Sequence, residues 1–192
     1  MTYNPEIHHR RSIRLKGYDY SQEGLYFITI CVQDRECLFG KIVDHHTMIL
    51  NEAGKIADQC WLAIPQHFPH VTLHEYIVMP NHIHGIIEIT DNVGANNHSS
   101  LPPPTRAMPR SPSRTIGSII RGFKIGVTKW FDKSVWQRNY YEHIIRSTDE
   151  YDRIANYIIN NPAKWQDDKF FKRLSKTTNF QSKNYGRFTT RL

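Results

Sequence analysis

Two histidines one pleat apart, His82 and His84, sit in the run Tyr76-Ile77-Val78-Met79-Pro80-Asn81-His82-Ile83-His84-Gly85-Ile86-Ile87-Glu88-Ile89. Side chains on a strand alternate faces, so His82, His84, Ile86 and Glu88 share one face, and Ile83, Ile87 and Ile89 take the other. Two imidazoles side by side on a rigid strand can share one metal ion. The plainer alternative is a pair of strand-end histidines meeting solvent. A second pair lies far along the chain. Tyr157 and Asn161 are four residues apart, hence on one side of a helix and on the flank of its apolar stripe. A ring packed beside the core and a cap before Pro162 are the ordinary readings of those two residues.

The elements that must hold these residues follow from periodicity. Leu25 to Val32 is a strand by its β-branched and aromatic content. Leu38 to Val43 reads as its partner strand, extending toward Met48 and Ile49. Asn51 is the expected N-cap of a helix running to about Pro65, with Ala53, Ile56, Ala57, Cys60 and Ile64 as its stripe. His67, His70 and His74 are irregularly spaced, which reads as loop and surface histidines. Val71 to Met79 is a strand, Pro80-Asn81 interrupts it, and His82 to Thr90 continues it or pairs with it. Residues 91–114, rich in Asn, Ser and Pro, read as a mobile insert.

Helical periodicity returns at Ile116, Ile119, Ile120, Phe123, Val127, Trp130 and Phe131, with Arg121, Lys124 and Lys129 on the opposite face. Val135 to Arg146 reads as an edge strand or extended segment. Ser147-Thr148-Asp149-Glu150 is a capping box that starts a helix striped by Tyr151, Ile154, Ala155 and Ile158. Pro162 stops it near Asn161 by disfavouring helical geometry in the residue before it.

The net charge of +7 is segregated: +2 over residues 1–20, −6 over 21–100, +7 over 101–140, −2 over 141–163 and +6 over 164–192. An acidic body with three basic segments is the footprint of a polyanion binder, the bland alternative being a soluble chain with basic tails. Aromatics interleaved with cations beyond Lys164 suit stacking on bases as well as packing on their own domain. No apolar run approaches the roughly 18 residues of a membrane span. The first residues lack the apolar stretch of a secretory signal. Cys31, Cys37 and Cys60 show no paired spacing. The expectation is a cytoplasmic protein without membrane partners.

Taken together, MPNHIHG, WQRNYYEHIIR and YDRIANYIINNPAKW, in that order, resemble the single-tyrosine HUH transposases of bacterial insertion sequences. Within them the resemblance is closest to the REP-associated tyrosine transposases. Matching motifs run from about Leu25 to Trp165. The resemblance implies an α+β, ferredoxin-like fold: an antiparallel sheet with helices packed on one face. It divides the chain into a basic arm (1–20), a transposase domain (21–165, with the insert 91–114) and a basic aromatic tail (166–192). His82 and His84 then match metal ligands, Asn161 the polar third ligand, and Tyr157 the nucleophile, with Mg²⁺ or Mn²⁺ as the divalent ion. Insertion-sequence members typically carry Gln where Asn161 stands, and the insert departs from compact relatives.

The implied activity is a single-stranded DNA endonuclease and strand transferase that cuts near hairpins and forms a 5′-phosphotyrosine. A phenol with a pKa of about 10 is a poor nucleophile at neutral pH, so a cation that offsets the phosphate's charge suits it. Arg10, Arg11, Arg14, Lys16, Arg121, Lys124, Arg138, His143 and Arg146 are the candidate DNA contacts. Tyr140 and Tyr141 read as DNA-contacting or structural. The rival readings are a non-catalytic ferredoxin-like nucleic-acid-binding module and a metal nuclease in which water attacks. The sequence leaves monomer or homodimer, the choice of metal and the target DNA open.

Overall fold

The computed structural model describes residues 18–90, 114–131 and 133–171. Expectations for Arg10, Arg11, Arg14, Lys16, nearly all of the insert 91–114 and the tail past Phe171 fall outside these residues.

Six strands and four helices follow in chain order: β1 (Gly24–Cys31), β2 (Gly40–Val43), β3 (Thr47–Leu50), α1 (Glu52–Leu62), α2 (Ile64–His67), β4 (Val71–Met79), β5 (His82–Ile89), α3 (Ile116–Phe131), β6 (Tyr141–Ile145) and α4 (Thr148–Ile159). Four strands form one antiparallel sheet in the order β4-β5-β1-β6. The units β1-α1-β4 and β5-α3-β6 interleave so that β1 and β5 lie at the centre, the ferredoxin-like arrangement.

Pro80 and Asn81 close a hairpin in which Met79 faces His82, so β5 pairs with β4 rather than continuing it. Strands β2 and β3 pair with each other instead of with β1. Both edges of β1 are already taken, by β5 and β6, and the Leu38–Val43 segment has no edge left to join. Left-handed Asp44 and His45 turn this small hairpin.

One face of the sheet carries the main core. Tyr26, Ile28, Ile30, Ile83, Ile87 and Ile89 meet Ala57 and Trp61 of α1 and Ile119, Ile120, Phe123 and Val127 of α3. On the other face Ile86 and Ile145 pack under Ile154, Ala155 and Ile158 of α4. Helices α1 and α3 thus satisfy the expected one-sided layer, and α4 adds a second layer behind the sheet. Strand β5 is covered on both faces, all but Glu88 of its eight residues being buried.

Gly85 is demanded by this double cover. A Cβ there would stand 2.3 Å from the Trp61 Cζ2 atom, so only a bare backbone lets Trp61 lie flat on β5.

The helix ends obey capping chemistry. The Asn51 side chain accepts from the Gly54 amide at 2.9 Å, and Ser147 Oγ accepts from the Glu150 amide at 3.2 Å. Two expectations shift. Helix α1 ends at Leu62, and Pro65 lies inside the next helical turn, at a position where its missing N–H costs nothing. Helix α4 ends at Ile159, near Asn161 as expected, but the reason differs: Asn161 keeps right-handed helical angles (φ −59°, ψ −41°) despite Pro162, and a 3₁₀ turn follows over Pro162–Asp167. Among the described residues no helix is long and apolar enough to cross a membrane.

Candidate metal and nucleophile site

The site lies on the α4 face of the sheet, where β5 presents His82 and His84. Both imidazoles are buried, their ring centroids 4.4 Å apart. Each is held at Nδ1. Asn81 Oδ1 lies 2.8 Å from His82 Nδ1, and Thr29 Oγ1, across the strand pair, lies 2.8 Å from His84 Nδ1. With Nδ1–H donating to these oxygens, both Nε2 lone pairs turn into the same space. That is how metal-binding histidines are usually oriented.

Burial holds both rings neutral. It is the main cause lowering His82 to about 3 and His84 well below the ordinary value; the Lys169 charge adds to it for both, and His82 does so for His84. A neutral imidazole is the form a metal accepts.

Helix α4 and the turn after it bring the rest. Tyr157 is 36% exposed, and its hydroxyl sits 3.3 Å from His84 Nε2. Asn161 is buried, its Nδ2 donating to Asp168 Oδ2 at 3.3 Å. Asp168 joins His82 and His84 in a cluster whose ligand atoms all lie within 4.8 Å of one another.

Of the buried side-chain atoms that carry no hydrogen bond among the described residues, two lie in this site, His82 Nε2 and Asn161 Oδ1. Buried polar atoms are normally paired. Unpaired lone pairs on neutral imidazole and carboxamide, beside a carboxylate, are what a divalent cation satisfies. The donor set fits a divalent cation.

The Tyr157 hydroxyl has its pKa raised by burial and by the Asp168 charge, with the Asn161 carboxamide pulling the other way. Left to the protein alone, the phenol stays protonated at neutral pH. Positive charge placed beside it would favour the phenolate. Phe27 forms the floor, its ring 5.4 Å from His84 and 6.2 Å from Tyr157. Phe170 lies over the histidines, 4.7 Å from His82 and 6.0 Å from His84. It is tied down there, since Asn81 Nδ2 donates to the Phe170 carbonyl at 2.9 Å and Arg35 to the Lys169 carbonyl at 2.8 Å.

The four residues singled out by spacing, His82, His84, Tyr157 and Asn161, therefore meet at one point. The expected DNA contacts are scattered. Arg121 is exposed on α3, which packs on the opposite face of the sheet. The Lys124 ammonium turns inward. It donates to the carbonyls of Gln137 (2.8 Å), Asn139 (3.2 Å) and Arg138 (3.4 Å), and burial lowers it to about 8, still protonated at neutral pH. It holds the loop before β6 rather than reaching for phosphate.

His143 Nε2 lies 2.7 Å from Glu150 Oε1, and the Arg146 amide donates to Glu150 Oε2 at 2.9 Å, so both serve the start of α4. The Arg138 and Arg146 side chains are exposed.

Sequence reasoning missed Asn81, Thr29, Asp168 and Phe170. It also placed His74 at the surface, whereas a bulge between Leu73 and Tyr76 turns His74 and Glu75 toward α4. There Tyr151 donates to Glu75 at 2.5 Å and lies 3.2 Å from His74 Nδ1, while His74 Nε2 is 2.9 Å from Glu88.

No protein-family model matches the chain. An uncharacterised protein of Haemophilus influenzae is 51% identical over 175 residues, which cover 88% of this chain and 97% of the relative. A second Haemophilus influenzae protein, provisionally described as a REP-associated tyrosine transposase, is 28% identical over 146 residues, 76% of this chain and 74% of its own length. Among solved structures, a REP-associated tyrosine transposase bound to a REP hairpin aligns with a TM-score of 0.55 at 20% identity, over 80% of this chain and 74% of that one. These likenesses agree with the resemblance carried by the motifs.

Proposed function

We propose that this chain, which belongs to one family with the 51%-identical Haemophilus influenzae protein and has the fold of a REP-associated tyrosine transposase, cuts and rejoins single-stranded DNA through Tyr157. The observation that carries the proposal is the Tyr157 hydroxyl 3.3 Å from His84 Nε2, at the mouth of a buried pocket whose His82 and Asn161 lone pairs lack partners.

His82 and His84, with Asn161 Oδ1 and the Asp168 carboxylate, would hold a divalent cation. When bound, that cation supplies positive charge that offsets the phosphate and lowers the cost of the phenolate. The protein's own part is geometric. Asn81 and Thr29 fix the imidazoles, and α4 holds the phenol against them. In the reaction Tyr157 Oη bonds to phosphorus and its proton leaves to solvent. The P–O3′ bond breaks, and the 3′ oxygen departs as a hydroxyl after taking up a proton. The phosphotyrosine conserves the ester for rejoining by a second 3′-OH without a nucleotide cofactor. The solved neighbour is bound to a hairpin, and a hairpin-bearing single strand is the substrate we assign to this chain. The setting is the cytoplasm.

The test uses labelled hairpin oligonucleotides with single-stranded flanks, taken from the DNA around its own gene, with Mn²⁺ or Mg²⁺. We expect a labelled covalent protein band that disappears with chelator and in Tyr157→Phe. A second reading, in which water attacks, draws on the raised pKa of Tyr157. Metal-dependent cleavage that survives in Tyr157→Phe would establish that reading and remove Tyr157 as nucleophile. Binding without cleavage across the panel would leave a non-catalytic module.

A further inference from the structure

Strand β6 brings a half-exposed aromatic ring to the same face as the site. Tyr141 faces Thr29 across the β1–β6 pair and alternates with Ile145, which packs under α4, so its side chain stands on the α4 side. It is 51% exposed. Phe27 joins it to the chemistry, since that ring contacts His84 and Tyr157 and stands edge-on to Tyr141 at 6.2 Å. Above lies Lys169, its ammonium 6.0 Å from the centre of the Tyr141 ring and 4.9 Å from that of Phe170. Its backbone is fixed on both sides, by Arg35 at the Lys169 carbonyl and by Asn81 at the Phe170 carbonyl. Its charge reaches both imidazoles. Among the described residues no carboxylate pairs with it.

An open aromatic face beside an unpaired cation, continuous with a candidate phosphoryl-transfer site, has one chemical complement. That complement is a nucleotide, with its planar base and its anionic phosphate. We propose that Tyr141 and Lys169 seat one nucleotide of the single strand next to the scissile phosphate, its base stacked on Tyr141 and its phosphate held by Lys169. This rests on the single-strand reading above and names the two residues that set the strand's register over Tyr157. Stacking is sequence-tolerant, so the seat fixes position rather than base identity.

The experiment measures binding by the full chain, in chelator, of the same labelled hairpin oligonucleotides, with an abasic residue walked along the flank. One position is expected to weaken binding by about five- to a hundred-fold in the wild type. Tyr141→Ala should cost a similar factor, combine with that abasic position at no further cost, and be rescued by Tyr141→Trp. Lys169→Ala should reduce the slope of log affinity against log salt by about 0.7. An abasic profile identical in wild type and Tyr141→Ala, or a Tyr141→Trp as weak as Tyr141→Ala, would overturn the seat. Because the readout needs neither metal nor cleavage, the stacking pattern stands even if no covalent band forms. Conversely, a covalent band with undiminished affinity in Tyr141→Ala would sink the seat and leave the Tyr157 reading intact. Failure to bind any single-stranded flank would overturn both.

Discussion

A lone pair buried without a donor is expensive, and this pocket holds two, on His82 and Asn161. Asp168 turns the reading from a neutral cage of imidazoles and carboxamide into one with a carboxylate at its edge, hydrogen-bonded to Asn161. Removing the carboxylate should therefore tell. Asp168→Asn is expected to weaken Mn²⁺ binding by about ten- to a hundred-fold, measured by titration calorimetry, with His82→Ala abolishing it. Equal affinity in Asp168→Asn and wild type would reduce Asp168 to a prop for Asn161.

The same burial makes metal-free stability depend on pH. In the unfolded chain a histidine takes a proton below about 6.5, whereas folded His82 refuses it down to about 3. The unfolded state thus binds more protons in that window, and stability falls as pH drops through it, by up to about 1.4 kcal/mol per pH unit for each such ring. Chemical denaturation at pH 7 and pH 5 should show the loss, and a variant lacking both histidines should show less of it.

At the level of elements, helix α4 is the device that aims Tyr157, and it is anchored twice. Ser147 and Glu150 close its start, while Tyr151 bonds Glu75 and meets His74 on the β4 bulge. Tyr151→Phe deletes only a hydroxyl. It should cost about 1 kcal/mol of stability and lower the cleavage rate while leaving Mn²⁺ affinity unchanged. A Tyr151→Phe enzyme with wild-type turnover would show that α4 needs no such anchor. Gly85→Ala should destabilise the fold by about 1–3 kcal/mol, because Trp61 must move off β5; a variant as stable as wild type in denaturant would contradict that packing.

Regular elements were readable because their signal is local. The period of two along β5 and of 3.6 along α3 and α4 needs only neighbours in sequence. The partner of β2 was misread because pairing is a competition for edges, and the chain nearest β1 in sequence lost it. Asp168 and Phe170 escaped notice for another reason. They reach the histidines through the 3₁₀ turn after Pro162, where no repeat marks which side chain turns inward. His74 was misjudged because a bulge breaks the alternation that would have placed it.

Over the whole molecule, charge is segregated along the chain. Three basic segments stand against a stretch that is acidic over residues 21–100, and in the described part Lys124 faces inward and Arg121 lies behind the sheet while Lys169 stands beside the site. Affinity for single strands should then depend steeply on salt. Deleting residues 172–192, which carry much of the C-terminal positive charge, should flatten that slope without altering the Mn²⁺ affinity of the pocket. A slope unchanged by the deletion would place the phosphate contacts on residues before 172.

Strand β5 writes two messages in alternate letters, the paired histidines and the α4 core on even positions and the main core on odd ones, and the two-residue turn at Pro80-Asn81 sets the reading frame. Sliding β5 by one residue against β4 and β1 would exchange every letter. The histidines would go into the hydrocarbon of α1 and α3, and Ile83 and Ile87 would go under Tyr157. A slide of two residues would preserve the phase. Pairing on both edges, with β4 on one side and β1 on the other, is what holds the phase and keeps the histidines under α4.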